Sequence, residues 1–251
     1  MPSVGQESAA PPPDSVVIPL NIKISFEIAG PVIYFTDKYI LNTDRNILNT
    51  EGYVSYDLNE KTALCFGGGY SDYKYSQYNY NYHSNGIFIK TGADLNLIRP
   101  ELSKGKYWAG IGLRYGISRF TSETSYFKHE NYWGTTSSSL PPNTIWGHFL
   151  EVSPGFRAEV IKNVSIGWSV NLKKLLYAGA GKDLKPIYFP GYGLAGKSFS
   201  NSISYFITYN FLYKKLNVAI KPEAPEETEE TEENQENMDT QSLRNTINVI
   251  R

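Results

Sequence analysis

The chain of 251 residues is predicted to fold as an all-β protein, an eight-stranded antiparallel up-and-down transmembrane β-barrel with disordered termini. Three observations predict this fold class. Eight segments alternate apolar and polar residues with a period of two. One face of each segment carries no Asp, Glu, Lys or Arg. The connections between the segments are alternately long and short, which is the asymmetry of outer-membrane barrels.

The first segment shows the alternation most clearly, since Leu20, Ile22, Ile24, Phe26 and Ile28 alternate with polar residues. Segments five and eight are equally regular, and the polar face of segment five is rich in glycine. In chain order the eight predicted strands cover residues 20–28, 53–58, 62–73, 87–95, 107–118, 150–160, 164–173 and 203–213. Because polar residues alternate with apolar ones in such strands, their mean hydropathy stays low. A search for long apolar helices therefore does not detect a membrane barrel.

The connections predict the orientation of the barrel. Long connections fall at residues 30–51, 73–84, 120–144 and 175–198, and short ones at 59–61, 98–106 and 162–163. With the N-terminus in the periplasm, each long loop lies outside the cell and each short turn in the periplasm. An even number of strands then returns the C-terminus to the periplasm.

Composition divides the chain into four parts. Residues 1–17 are predicted to be a disordered leader, 18–215 the outer-membrane barrel, 216–239 an acidic flexible linker, and 240–251 a short periplasmic segment. In that segment Leu243, Ile247 and Ile250 would share one helical face and contact a periplasmic partner; a solvated tail is the equally open interpretation. Because residues 1–14 contain no apolar export segment, a membrane destination predicts a processed chain or a missing start.

The polar faces of the strands are built from Gly and Ser with a few charged residues, whereas soluble surfaces prefer long charged side chains. A lumen just wide enough to be filled by side chains favours small residues around a few large ones. Positive and negative charges also balance on these faces, as buried charges must. The predicted lumen charge network is Lys23, Glu27, Lys90, Asp94, Arg114, Glu151, Arg157, Glu159 and Lys173. It is interpreted as a salt-bridged filling, with a gate or narrow ion path as the alternative.

The predicted external loops are rich in aromatic residues. The candidate contacts with an external partner are Tyr75, Tyr78, Tyr80, Tyr132 and Trp133, since aromatic rings with a polar edge suit binding of glycan or protein. The alternative is that strands three and four simply extend above the membrane as a tall hairpin.

The sequence offers no catalytic residues and no metal or cofactor site. The three histidines do not group with other ligands, and the lone Cys65 is expected to be a small packing residue on the lumen side. Residues 179–183 resemble part of a phosphate-binding loop but lack its first glycine and its final Ser or Thr. A net charge of -1 gives no general attraction to nucleic acid.

From about Gly86 to Lys215 the chain resembles an uncharacterised outer-membrane barrel family of Bacteroidota, known as domain of unknown function 6048. The stretches that carry the resemblance are Lys106–Gly116, Tyr132–Thr135, Trp146–Glu151 with Gly155 and Glu159, and Gly167–Leu176 with Tyr188–Gly191. The resemblance implies a barrel and an outer-membrane location, and it brings no catalytic residues.

Taken together, we expect a non-enzymatic bacterial outer-membrane barrel, with its lumen filled by side chains, that serves as a structural or interaction subunit of an envelope assembly. Its partners would be outer-membrane lipid and a periplasmic or outer-membrane protein, with no cofactor. Two alternatives stay open. One is a narrow pore or a carrier of a small apolar ligand, and the other is a soluble, lipocalin-like barrel whose apolar residues point inward.

Overall fold

The computed structural model describes residues 15–41, 44–179, 186–196 and 198–219. Most of the predicted leader and linker, and the C-terminal segment with Leu243, Ile247 and Ile250, lie outside the described residues. Within the described residues, the first strand starts at Ser15 and the last strand ends at Ala219, whereas the predicted barrel covers residues 18–215.

Eight strands form one closed antiparallel barrel, in which each strand pairs with its neighbours in the chain and the last pairs with the first. They are β1 (Ser15–Glu27), β2 (Arg45–Asp57), β3 (Thr62–Gln77), β4 (Tyr80–Asn96), β5 (Tyr107–Asn131), β6 (Gly134–Ile161), β7 (Val164–Ala178) and β10 (Phe199–Ala219). Between β7 and β10, the two-residue strands β8 (Tyr188–Phe189) and β9 (Gly193–Leu194) form a small hairpin. The predicted fold class is confirmed.

Among the described residues, helical structure occurs in two connections. Helix α1 (Ala29–Phe35) continues into a π-helical segment, Thr36–Leu41, between β1 and β2. The short helix α2 (Pro100–Ser103) lies in the turn between β4 and β5. We refer to the end of the barrel with the three short turns as the turn end, and to the opposite end as the loop end.

The apolar face of the strands points outward. Leu113 and Ile166 are 53% and 49% exposed, whereas Arg114 and Glu151 are 9% and 0% exposed. A soluble, lipocalin-like barrel requires the reverse arrangement, so that alternative is wrong. The interior is correspondingly polar, since Ser, Thr and Asn side chains of most strands are buried beside the charged ones.

Two predicted loops are strands instead. Strands β3 and β4 pair without interruption up to Gln77 and Tyr80, so residues 73–84 form the end of a long hairpin. Strands β5 and β6 continue through most of residues 120–144 and pair, with two irregularities, up to Asn131 and Gly134. The apolar–polar alternation ends where the strands rise past the outward apolar surface. The strands continue to pair there, because backbone hydrogen bonds do not require apolar side chains. Sequence periodicity therefore placed these strand ends too early.

The first segment of β1 lies across the turn end of the barrel. Ile18 and Leu20 are buried. The alternation predicted that Leu20 points outward, so this prediction is wrong for Leu20. Pro19 packs against Gly105, which follows α2 in the turn between β4 and β5. Residues 18–20 and this turn therefore meet at the turn end of the barrel.

Candidate functional site in the barrel lumen

Glu151 is the centre of a cluster of ion pairs in the middle of the lumen. Its Oε2 lies 2.7 Å from Lys90 Nζ and 3.9 Å from Lys173 Nζ, and its Oε1 lies 3.2 Å from Arg114 NH1. Arg114 also bonds Asp94 at 3.1 Å. Lys90 has a second carboxylate partner, Glu51, at 2.5 Å. We call these six residues, with three positive and three negative charges, the central cluster.

Hydroxyl and amide groups complete the hydrogen bonding of the central cluster. Arg114 donates to Ser153 Oγ at 3.2 Å, and Ser153 donates to Glu151 at 3.0 Å. The chain of bonds continues through Asn171, whose amide donates to Ser204 at 2.8 Å. Tyr53 donates its hydroxyl hydrogen to Glu51, and its ring lies 4.6 Å from the Arg114 guanidinium carbon. Buried charges with this many partners hold neighbouring strands in one register.

The structure brings five of the nine predicted lumen residues into the central cluster and places the other four elsewhere inside the barrel. Lys23 bonds Asp57 at 2.5 Å nearer the turn end, and Arg157 stacks on the Trp108 ring at 5.1 Å. Glu27 accepts hydrogen bonds from the Ala29 and Gly30 amides at the start of α1. Glu159 accepts one from the amide of Asn163, in the last short turn.

Sequence reasoning missed Glu51, because this residue was assigned to the first long loop. Strand β2 in fact begins at Arg45, and Glu51 lies two residues before Tyr53 on the same inward face. The period of two, extended backward from Tyr53, would have found it. The predicted network therefore lacked one of the two carboxylates that pair with Lys90.

A segment of the last loop folds into the loop end of the lumen. We call residues 187–192 the plug. Tyr82 Oη accepts hydrogen bonds from the amides of Ile187 and Tyr188, at 3.0 and 3.3 Å. The Tyr188 ring stacks on Tyr73, with centroids 4.7 Å apart. Desolvation by burial raises the pKa of the Tyr188 hydroxyl.

Aromatic rings seal the plug against the barrel wall. Phe189 and Tyr192 are 0% and 1% exposed and pack edge-on against each other and near Phe149. Glycines of the wall make the room for these rings. A Cβ at Gly147 would lie 2.2 Å from the Phe189 ring, and one at Gly116 would lie 2.2 Å from the Phe149 ring. The predicted lumen of small residues around large ones takes this form.

The plug and the central cluster are directly connected. Lys173 donates a hydrogen bond to the Gly191 carbonyl at 2.9 Å, while its charge faces Glu151. Gly191 has a φ of +78°, a backbone conformation that favours glycine. Movement of the plug would therefore remove a partner from a buried ammonium group.

Little free volume remains between the two closed ends. A cavity of about 50 Å³ lies between the wall and the central cluster, beside Cys65, Arg114 and Phe206. It has room for a few water molecules, at about 10–15 Å³ each, and is far smaller than the roughly 300 Å³ of a typical ligand pocket. A second small cavity, about 60 Å³, lies at the turn end beneath Ile18 and Ser103.

The predicted aromatic contacts at the loop end fall into two groups. Tyr75 and Tyr80 pack on each other near the tip of the β3–β4 hairpin, 6.4 Å apart. Tyr78, Tyr132 and Trp133 are exposed, by 78%, 93% and 89%. The Tyr132 and Trp133 rings contact each other at the tip of the tall β5–β6 hairpin.

Neither a metal-ligand group nor a long apolar helix occurs within residues 15–41, 44–179, 186–196 and 198–219. No group of His, Cys, Asp and Glu in these ranges has the arrangement of a metal site. No helix of the described chain is long and apolar enough to cross a membrane.

Comparison with solved structures finds bacterial β-barrels. They include Ail, the attachment invasion locus protein of Yersinia pestis, with 12% identity, a TM-score of 0.36, and coverage of 78% of this chain and 97% of that chain. The N-terminal β-barrel domain of Pseudomonas aeruginosa OprF has 10% identity, a TM-score of 0.26 and coverage of 79% and 98%. CarO of Acinetobacter baumannii has 12% identity, a TM-score of 0.34 and coverage of 78% and 98%. Similarity this low carries no conclusion about this chain.

No curated protein matches the chain in sequence. A family model matches residues 30–215, which include every strand after β1 down to most of β10 and therefore the central cluster and the plug. The match spans well over half of the chain, and it agrees with the resemblance seen in the sequence. The chain belongs to the family described as a domain of unknown function, DUF6048.

Proposed function

We propose that the chain is a non-enzymatic protein of the bacterial outer membrane, a closed barrel that serves as a structural or interaction subunit of an envelope assembly. One observation carries the membrane location. A continuous outward surface of apolar side chains, free of charged residues among the described strands, surrounds the barrel.

The depth of this apolar band matches a membrane. In β5 the band covers residues 107–117, bounded by Lys106 and Arg119, and in β10 it covers 203–213, bounded by Asn201 and Lys215. A tilted strand needs about 9–11 residues to cross the hydrocarbon core. A water-soluble protein rarely leaves more than a few hundred Å² of contiguous apolar surface exposed.

The ends of the band have the composition of a membrane interface. At its upper limit the Arg119 guanidinium lies 5.5 Å from the centre of the exposed Trp146 ring. At its lower limit Tyr56 and Tyr213 stack with centroids 4.9 Å apart. Trp and Tyr concentrate where acyl chains meet headgroups, and an Arg at that level can extend its side chain to the headgroups.

The interior favours a structural role over transport. The central cluster fills the middle of the lumen, the plug occupies the loop end, and the two lumen cavities, of about 50 and 60 Å³, are too small for an organic ligand. The two lumen cavities hold only a few water molecules each, which does not favour a pore function. The exposed aromatic tip at Tyr132 and Trp133 stands clear of the band and is the best placed surface for an external protein or glycan partner.

Reconstitution tests the location and the closed lumen together. The purified chain should stay with lipid vesicles after a carbonate wash and should give no ion conductance above background in a planar bilayer. Release into the wash would contradict the membrane location. Regular conductance steps of the wild-type chain would contradict the closed lumen and favour the pore.

The interaction role is tested by cross-linking in outer-membrane fractions. We expect a Tyr132→Ser/Trp133→Ser variant to lose cross-linked species that the wild type forms. A matched Ser137→Ala/Ser138→Ala variant, changed in the same hairpin, should retain them. Identical cross-linked species in all three proteins would remove the hairpin tip from the proposal.

A further inference from the structure

The helical segment between β1 and β2 carries an unpartnered apolar face outside the barrel. Its exposed side chains are Val32, Ile33, Phe35, Tyr39 and Ile40, with exposed fractions between 53% and 75%. These are unusually apolar residues for a segment that packs on only one side. The opposite face holds Tyr34 and Asp37, which are partly buried.

The segment is fixed to the barrel rather than hanging from it. The buried carboxylate of Glu27 accepts hydrogen bonds from the amides of Ala29 and Gly30 at 2.9 and 3.0 Å. Gly30 lies so close to β2 that a Cβ there would come within 2.0 Å of the Asn49 carbonyl oxygen. The helix therefore takes the place beside β2 that an extension of β1 would otherwise occupy.

The height of the segment on the barrel is informative. It starts directly after Phe26 and Ile28, which are outward members of the apolar band and are 63% and 38% exposed. It packs beside Asn49, whose partner in β3 is Ser71. Around that level the outward side of β3 changes from apolar Tyr70 to charged Asp72. The helix thus lies at the upper edge of the band, where acyl chains meet headgroups.

The charges of the segment fit this position. The Lys38 ammonium donates to Tyr34 Oη at 3.0 Å and lies 5.2 Å from the centre of the Tyr39 ring, so it sits beside the two tyrosines. The Tyr39 ring stacks on Phe35 with centroids 5.8 Å apart. Tyrosine is a residue type enriched at the membrane interface. An amphipathic helix with this pattern lies in the plane of the interface with its apolar face in the lipid.

We infer that residues 29–41 bind the lipid surface as an interfacial helix, so that the apolar face of this segment is covered by lipid and extends the band of the barrel. The inference rests on the proposed membrane location. The occupant is lipid rather than a protein, because the face is continuous with the band and lies level with its edge.

Spin labels test the inference in the full chain reconstituted into vesicles. Cys65, buried and 3% exposed, is first replaced by Ser. Single cysteines then carry a nitroxide at Val32 or Ile40 on the apolar face, at Asp37 on the opposite face, at Ile89 as the lipid reference and at Tyr132 as the water reference. The measurement is the accessibility of each label to oxygen relative to a water-soluble nickel complex.

We expect the oxygen-to-nickel ratio at Val32 and Ile40 to be several-fold higher than at Tyr132 and close to that at Ile89, whereas the label at the partly buried Asp37 should be less accessible to both reagents. Water-like ratios at Val32 and Ile40, together with a lipid-like ratio at Ile89, would overturn this inference and leave the membrane location standing. A water-like ratio at Ile89 would overturn the membrane location, and the inference with it.

Discussion

Replacement of Glu151 by Gln should destabilise the barrel strongly. The substitution keeps the shape of the side chain and removes its charge. In the native cluster three cations face three carboxylates, and Glu151 is the carboxylate that contacts Lys90, Arg114 and Lys173. In the Glu151→Gln variant the same three cations face two carboxylates at a site where residue 151 is fully buried.

The expected loss follows from the burial of that charge. Breaking a buried ion pair by removal of one partner costs about 3–5 kcal/mol. Because each 1.4 kcal/mol is tenfold, this corresponds to roughly a hundred- to several-thousand-fold drop in the folding equilibrium constant. Urea unfolding in lipid vesicles, followed by tryptophan fluorescence, measures the free energy of unfolding of each variant.

Two companion variants distinguish charge from packing. In Glu151→Gln/Lys173→Met a cation is removed as well, so the loss should be smaller than the sum of the two single losses by about 0.5–3 kcal/mol. Glu130→Gln breaks the exposed ion pair with Lys128 and should leave the unfolding curve unchanged. A Glu151→Gln variant as stable as Glu130→Gln, or additive losses in the double variant, would refute the idea of a charge-balanced cluster.

Two other substitutions address the plug and the band. Gly147→Ala should lower the free energy of unfolding by about 1–3 kcal/mol by overpacking against Phe189, and Phe189→Ala should partly restore it. Gly196→Ala, with open space around its Cβ, should be neutral. Equal stabilities of Gly147→Ala and Gly196→Ala would contradict a tight plug. In vesicles, Leu113→Arg should lower the free energy of unfolding by about 2–4 kcal/mol, whereas Tyr132→Arg at the hairpin tip should change it by under about 0.5 kcal/mol. An unchanged free energy of unfolding in Leu113→Arg would argue against lipid contact.

The strands and their faces could be predicted from the sequence because a period of two is a direct consequence of strand geometry. This held for β5, where Leu113 and Arg114 point to opposite sides as predicted. The central cluster followed from the same periodicity, since inward positions at one height of a closed barrel meet across the lumen. Glu51 was missed only because the apolar alternation of β2 fades before that residue.

The plug and helix α1 could not be predicted in the same way. Tyr188, Phe189 and Tyr192 lie in a segment with Pro190 and Gly191, where no period shows that the rings turn inward. The burial of the Phe189 ring depends on space left by Gly147 on a distant strand. Helix α1 is short, contains Gly30 and Pro31, and has no side-chain cap from Ile28 at its N-terminus, so its local signals are weak. Its start is fixed instead by Glu27, at the end of β1.

The outward direction of the charge-free face is tested most directly with tryptophan as a native probe. In a variant that keeps only Trp168, an outward residue of the band that is 47% exposed, we expect brominated lipid to quench the fluorescence and iodide in the water to have little effect. A variant that keeps only Trp133, at the hairpin tip, should show the opposite pattern. Quenching of Trp168 by iodide, with no response to brominated lipid, would contradict the membrane-spanning barrel.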